Sequence, residues 1–537
     1  MLEKAYTFDD YLNCTLYDVH RWSDYPEVLA VRKQMLEELG YSGTPKEINQ
    51  VTVLLLNLYY TYCLDPEMWV MYSRDRNDYN EGKRYNKLFI KYDILIATID
   101  KFLELGYIEN AKGFQDRNTK KAFDSRMKAT QKLIDVIENE HAVTFNMIGK
   151  YTPDELIVLR NADGEDIDYV DTPELIRMRS ELEAYNKLLG ETYIDIHFDV
   201  SDIQNKIDAR RKKIDKKTGR PKSYRLVINL TNKRVRRIFN KSTFNLGGRY
   251  YGGWYQYIPS DLRQKIIIGK DYTVEVDYSA QHIYLLYALK GINFSDLEKE
   301  AYVYPKDNDP LGYRPIFKLL LLAAVNSRNP VQCVMAVQGG INEKPDDYPD
   351  VIPDLMETYL MFKEYHSDIA DMFCNKDNKN IGLKLQRWDS AIAETVVNVM
   401  TARGIPVLVV HDSFVCSKRE EAFLFDIMSK AFLMHATDYG VSEELKQEFS
   451  SNPIGMKTKD ITLKKSEALR DDDILIDYLE WRDEPQGRRF TNYLLEGNPT
   501  TNVVIKVFNE RITEHGYDIH EPVFIDEPIF FDEGHEV

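Results

Sequence analysis

A chain of 537 residues that is 43% hydrophobic is long enough for three or four domains with real cores. It has no run of about 18 apolar residues and no basic-then-apolar leader in MLEKAYTFDDYLNC, so no membrane partner and a cytoplasmic setting, in a bacterial or phage-infected cell, are expected. Five scattered cysteines, without a CxxC or a His cluster at ligand spacing, exclude a disulfide framework and a structural zinc. The net charge of −17 is uneven: residues 441–537 hold 22 acids against 11 bases, whereas residues 210–241 hold 14 Lys and Arg against the single acid Asp215.

In chain order, Thr44-Pro45 with Glu47 behind it signals a helix start, and VTVLLLNLYYTY continues it as a buried helix. Ile94, Ile96, Ile99, Phe102, Leu103 and Leu105 have helical spacing, with Gly106 as the C-cap. A strand over LGYIEN, a loop with Lys112, Arg117, Lys120 and Lys121, and then FDSRMKATQKLIDVI complete an order that resembles a winged helix-turn-helix domain. That resemblance implies DNA binding, with the basic loop as the wing on phosphates; the alternative is a helical domain with a solvated hairpin.

A long helix is expected over TPELIRMRSELEAYNKLLG, from its Thr-Pro start. The following DIHFD carries Asp195 and Asp199 but has His197 between them and no supporting acidic motifs, so proofreading is not expected. In the basic strip, Tyr224, Leu226, Ile228 and Leu230 alternate as a strand and Arg234, Arg236 and Arg237 follow, which favours a phosphate-tracking surface over a solvated linker. Further on, Val274 and Val276 alternate into Asp277, after which the apolar period becomes helical; PVLVV ends at His411-Asp412 and resumes as Phe414-Val415-Cys416, a hairpin with His-Asp at its tip.

Gly248-Arg249, Gln256, Ile258-Pro259, Arg263 and Asp277-Tyr278-Ser279 resemble the palm entry of family A DNA polymerases. Arg314 and Lys318 in YRPIFKLLLLAAVN are similar to that family's fingers helix, and Gln386 with Ser390, Ala391 and Ala393 to its last helix before His411-Asp412. The Asp-Ser-Phe form of the final motif and the Gln-His pair after DYS resemble single-subunit phage-type RNA polymerases instead. The resemblance covers residues 244–432 and implies an α+β right hand with an antiparallel palm sheet and helical fingers and thumb, beside the winged-helix-like domain.

It also implies a chemistry. Asp277 and Asp412 hold two divalent ions, Mg²⁺ or Mn²⁺, for in-line nucleotidyl transfer, and Arg314 and Lys318 grip the triphosphate. Arg249, Gln256, Arg263, Gln386 and His411 face a DNA template and its primer or nascent strand. Tyr250, Tyr251, Trp254, Tyr255 and Tyr257 stack on bases or belong to the core. At the nucleotide pocket the sequence departs from family A: His282 stands where a sugar-excluding Glu is expected, Ser413 replaces a Glu, and Leu322 and Asn326 replace two aromatics of the fingers helix. The sugar preference is therefore open.

The expected organisation is a helical and winged-helix-like region over 1–145, a thumb-like region with the basic strip over 146–243, palm and fingers over 244–440 and an acidic extension over 441–537. The expected function is template-directed polymerisation of nucleoside triphosphates. A template-independent terminal transferase or primer-making enzyme on the same palm, and a DNA-binding replication or regulatory protein with an inactive palm, are the alternatives.

Overall fold

The computed structural model describes residues 14–64, 66–79, 84–115, 122–144, 147–150, 154–196, 232–269, 271–302, 312–376, 380–436 and 463–465. They form a mixed α and β structure with two large hydrophobic cores, one drawn from residues 28–143 and the other from residues 156–436.

The first core lies between helices and a small sheet. Strand β1 (Cys14–Leu16), helices α1 (Pro26–Glu38) and α2 (Pro45–Leu64), strand β2 (Trp69–Tyr72), helix α3 (Tyr92–Glu104) and strands β3 (Ile108–Ala111) and β4 (Ser125–Ala129) make it up, with the sheet ordered β1-β2-β4-β3. The α2 start is a reciprocal capping box: the Thr44 N–H donates to Glu47 Oε2 at 2.8 Å and the Glu47 N–H to Thr44 Oγ1 at 3.4 Å. Gly106, at φ +73°, closes α3 with its N–H on the Leu103 carbonyl and that of Tyr107 on Phe102. The buried face of α3 is Leu95, Ile99 and Phe102, so Leu103, expected inside, is instead 43% exposed. The helix–strand–loop–strand order over 92–129 is present, β3 pairing antiparallel with β4. Lys112 is exposed at the start of that loop; Arg117, Lys120 and Lys121 lie outside the described residues.

The second core takes strand β5 (Ile157–Leu159), helix α4 (Pro173–Glu191), strands β6 (Ile194–Ile196), β7 (Arg236–Asn240), β8 (Thr243–Tyr251), β9 (Ile266–Ile268) and β10 (Asp271–Tyr278), helices α5 (Gln281–Leu289), α6 (Arg314–Asn326), α7 (Pro330–Glu343), α8 (Leu355–Tyr365) and α9 (Ile381–Ala402), the hairpin β11 (Val407–Val410) and β12 (Ser413–Ser417), helix α10 (Glu421–Ala436) and strand β13 (Leu463–Lys465). Its central sheet runs β6-β9-β10-β12-β11, with β13 also on β10; a second sheet runs β8-β7-β5.

Residues of the expected thumb-like region over 146–243 contribute to the core that covers the central sheet. Helix α4, capped by Thr172 on the Leu175 N–H, buries Leu182, Tyr185 and Leu189 in the same core as the central sheet. Tyr185 Oη donates to the Val407 carbonyl at 2.6 Å, and β6 is itself a strand of that sheet. Long-range pairing decides this. Asp195 is fully buried, its Oδ2 accepting from Tyr193 Oη at 2.6 Å, which makes it a structural residue of β6. Asp199, the alternating strand expected over 224–230, and the acidic region apart from β13 lie outside the described residues. No described helix is long and apolar enough to cross a membrane, and the five cysteines are free.

Candidate active site

Alternation on β10 sends Val274, Val276 and Tyr278 into the core and leaves Glu275 and Asp277 half-buried on the opposite face. The β10–β12 register pairs Asp277 with Ser413 and Val276 with Phe414, which brings the hairpin tip, His411-Asp412, to the end of β10 that carries Asp277. The tip is a two-residue connection, since Val410 pairs with Ser413. His411 takes φ +60°, a left-handed backbone that matches hairpin twist but is uncommon for a residue other than glycine. Two aspartates 135 positions apart in sequence thus reach one sheet end because their strands are neighbours.

Tyr302, a buried ring, lies against the start of α6. Arg314 lies 5.4 Å and Lys318 5.8 Å from its ring centroid. Burial raises the Tyr302 hydroxyl's pKa; Asp412 raises it further, Arg314 opposes this and Asp277 adds to it. Both carboxylates and the guanidinium therefore lie within electrostatic reach of one hydroxyl. Arg314, Lys318, Leu322 and Asn326 follow at four-residue steps along one side of α6. Leu322 is 53% exposed on that stripe. Asn326 donates Nδ2–H to the Leu322 carbonyl at 2.8 Å, and its amide lies against Gly382 of α9, where a Cβ would displace it.

A second group, absent from the sequence reading, centres on Asp389 of α9. Its carboxylate is fully buried, accepts from Arg249 Nε at 3.0 and 3.1 Å and from Nη2 as well, and lies 3.1 Å from His282 Nε2. Burial works to lower the Arg249 pKa, but Asp389 and then Asp412 outweigh it and hold the cation charged. Burial first, and then Arg249, press the His411 imidazole below its ordinary value. Arg249 is thus held by Asp389, on a strand whose Tyr251 meets His411 of the hairpin tip at 5.8 Å. Glu275 was also passed over. It binds Arg263 Nε and Nη2 at 3.1 and 2.9 Å and accepts from Ser413 Oγ at 2.7 Å. Its position two residues before Asp277 marked the shared face, and Asp389 lies three residues after Gln386 on the same helix; Tyr302 belonged to no pattern.

Several expected nucleic-acid contacts are engaged internally. Gln256 Oε1 accepts from the Gly252 N–H, and its Nε2 donates to the Tyr250 and Val409 carbonyls, tying β8 to β11. Arg263 is held by Glu275. Arg237, expected to track phosphates, is 1% exposed and bound to Glu394 at 2.6 Å and to the Gly248 carbonyl at 2.8 Å. Arg234 pairs with Asp154 at 2.9 Å. Arg236, whose side chain alternates outward on β7, is exposed, and Gln386 is half-buried on α9. Of the aromatics, Tyr250, Trp254 and Tyr255 are core residues, Tyr257 is 64% exposed, and Tyr251 meets His411 edge-on at 5.8 Å.

Among the described residues no group of three or more His, Cys, Asp or Glu side chains is arranged to hold a metal ion, so a closed protein cage is not offered. Paired half-buried carboxylates suit a hard cation such as Mg²⁺, which keeps several waters and takes phosphate oxygens as further ligands. A scan of protein-family models finds no match to this chain, and a search of curated proteins finds no significant one.

Proposed function

We propose that the chain is a template-directed nucleotidyltransferase, a nucleic-acid polymerase of right-hand architecture acting on nucleoside triphosphates. The observation that carries this reading is the β10–β12 register that brings Asp277 and the hairpin tip with Asp412 to one sheet end, with Tyr302, against which Arg314 and Lys318 lie, in electrostatic reach of both aspartates. These charges come from a strand end, a helix start and a hairpin tip, in the chain order of the motifs. The antiparallel β10–β12–β11 sheet bearing both aspartates supports a palm, and α6 to α8 support helical fingers.

In this reading Asp277 and Asp412 hold the divalent ions. Bound there, Mg²⁺ or Mn²⁺ neutralises charge at the reacting phosphate and activates the attacking 3′-hydroxyl. Arg314 and Lys318 bind the triphosphate by charge-assisted hydrogen bonds, and the start of α6 adds the positive end of the helix dipole. The burial of Tyr302 beneath them excludes water from one wall and strengthens each charge interaction. Ser413, in the place of an expected acid, leaves Glu275 as the neighbouring carboxylate, and Arg263 and Ser413 neutralise it without removing it from the face. Exposed Arg236 and Lys112 suit phosphate contacts with the DNA.

The test is incorporation by purified protein on primed and unprimed DNA and RNA templates, with Mg²⁺ or Mn²⁺ and with dNTPs and rNTPs in separate reactions. Template-dependent product is expected from one sugar class and none from Asp277→Ala or Asp412→Ala. Product lacking complementarity to the template indicates the terminal transferase. No incorporation in any combination, with DNA binding intact, refutes the enzyme and leaves the DNA-binding protein.

A further inference from the structure

We infer that Asp389 is a positioning residue of this site: its buried carboxylate holds Arg249 away from Asp412 and so leaves Asp412 open to a divalent cation. The inference rests on the reading that Asp277 and Asp412 bind that cation.

An ionised acid inside α9 is unfavourable unless it is paired. Asp389 lies beside Ser390, Ala391 and Ala393, and its side chain has no exposed surface. What balances it is Arg249 from β8, which forks across both of its oxygens, with His282 from α5 on Oδ2. Three elements distant in sequence are thereby fixed around one carboxylate. Arg249 has a second anion nearby: Tyr251, two residues further along β8, meets His411 of the hairpin tip at 5.8 Å, and the adjoining Asp412 contributes to keeping the guanidinium charged. A guanidinium facing two carboxylates stays with the one it grips through two N–H groups. Asp389 is that one, and its side chain has no exposed surface. Asp412, half-buried at the hairpin tip, is the one left for a cation from solution.

Taking the charge from Asp389 reverses the choice. In Asp389→Asn the guanidinium keeps its charge and loses its strongest acceptor, so Asp412 becomes its partner and a metal ion must displace it. His282 loses its carboxylate at the same time. Removing the competitor as well, in Asp389→Asn/Arg249→Gln, frees Asp412 again. A role of Asp389 confined to packing predicts the opposite, since the double variant would be no better than the single one.

The measurement is Mn²⁺ binding to the intact chain without nucleotide, followed by electron paramagnetic resonance. The Mn²⁺ Kd is expected to rise by about tenfold in Asp389→Asn, as for release of one charge-assisted competitor, and to return to near the wild-type value in the double variant. Where Asp389→Asn does not fold, Arg249→Lys takes its place. Its point charge cannot fork across Asp389, so it too is expected to weaken Mn²⁺ binding. Asp412→Ala separates this inference from the reading beneath it. If Asp412→Ala binds Mn²⁺ as tightly as wild type, the metal reading and this inference fall together. If Asp412→Ala loses the ion while Asp389→Asn or Arg249→Lys keeps the wild-type Kd, or if the double variant stays as weak as Asp389→Asn, the role of Asp389 alone is overturned.

Discussion

Gln256 and Arg236 show what a residue's neighbours decide that its motif position does not. Gln256 stands where the motif order suggests a template contact, yet its amide bonds three backbone groups of β8, β11 and the turn between Tyr251 and Gly253. Gln256→Ala leaves those groups without a partner, and each buried unpaired group costs about 1–3 kcal/mol. The expected outcome is a clear loss of stability in urea denaturation with unchanged DNA affinity at fixed salt; a weakened affinity with unchanged stability would restore the contact role. Arg236 is the converse case. It is exposed at the edge of β7, so Arg236→Ala should leave the urea midpoint in place and reduce the slope of log K against log salt by about 1. An unchanged slope would remove Arg236 from the DNA surface.

Among the elements, those with local signals were legible. Alternation ending in an acid gave β10, two β-branched runs bracketing His411-Asp412 gave the hairpin, and Thr44 with Glu47 gave the start of α2. The nearness of Asp277 to the hairpin tip follows from these, because once both strands exist their antiparallel register sets it. Among the described residues of the basic strip, Arg234 and Arg237 are paired with acids while Arg236 is exposed, because strand period and not the run of charge sets where each side chain goes. On β7 alternation sends Arg236 out and Arg237 in, and Arg237's partners on α9, Ser390 and Glu394, lie 153 and 157 positions further along the chain. No local pattern carries such a contact, and Asp389 was missed for the same reason. The Arg237–Glu394 pair joins β7 to α9, with burial opposing the Arg237 charge and Glu394 holding it. Glu394→Gln leaves a buried guanidinium without its counter-charge and is expected to destabilise the fold by about 3–5 kcal/mol. Arg237→Met/Glu394→Leu, which removes both charges, should lose less than Glu394→Gln; chemical denaturation of the two variants measures the difference, and an equal or greater loss in the double variant contradicts it.

For the molecule as a whole, the candidate site hangs on the larger core through His366. This imidazole is fully buried against Phe294, Phe362 and Tyr287, with Nδ1 3.1 Å from Tyr287 Oη and Nε2 3.2 Å from the Ala301 carbonyl. A neutral ring satisfies both contacts: Nε2–H donates to the carbonyl of Ala301, the residue before Tyr302, and Nδ1 accepts from the hydroxyl. Burial pushes its pKa down from 6.5 to about 4. The unfolded chain therefore binds this proton more readily than the folded one, and stability rises with pH between those values. The contribution is fully present above the unfolded value and is lost as pH falls toward the folded one, in all about 3 kcal/mol at roughly 1.4 kcal/mol per pKa unit. Protonation turns Nδ1 from acceptor into donor, so the Tyr287 hydroxyl must turn to accept, and it places a charge in the aromatic pocket beneath Ala301 and Tyr302. His366→Gln removes the titrating group. Unfolding free energies from urea titrations at pH 7, 5.5 and 4 should fall more steeply for wild type than for His366→Gln, even though the variant starts lower at pH 7. Parallel profiles would show that the proton taken up on acid unfolding binds elsewhere, and that Tyr302 does not depend on the charge state of His366.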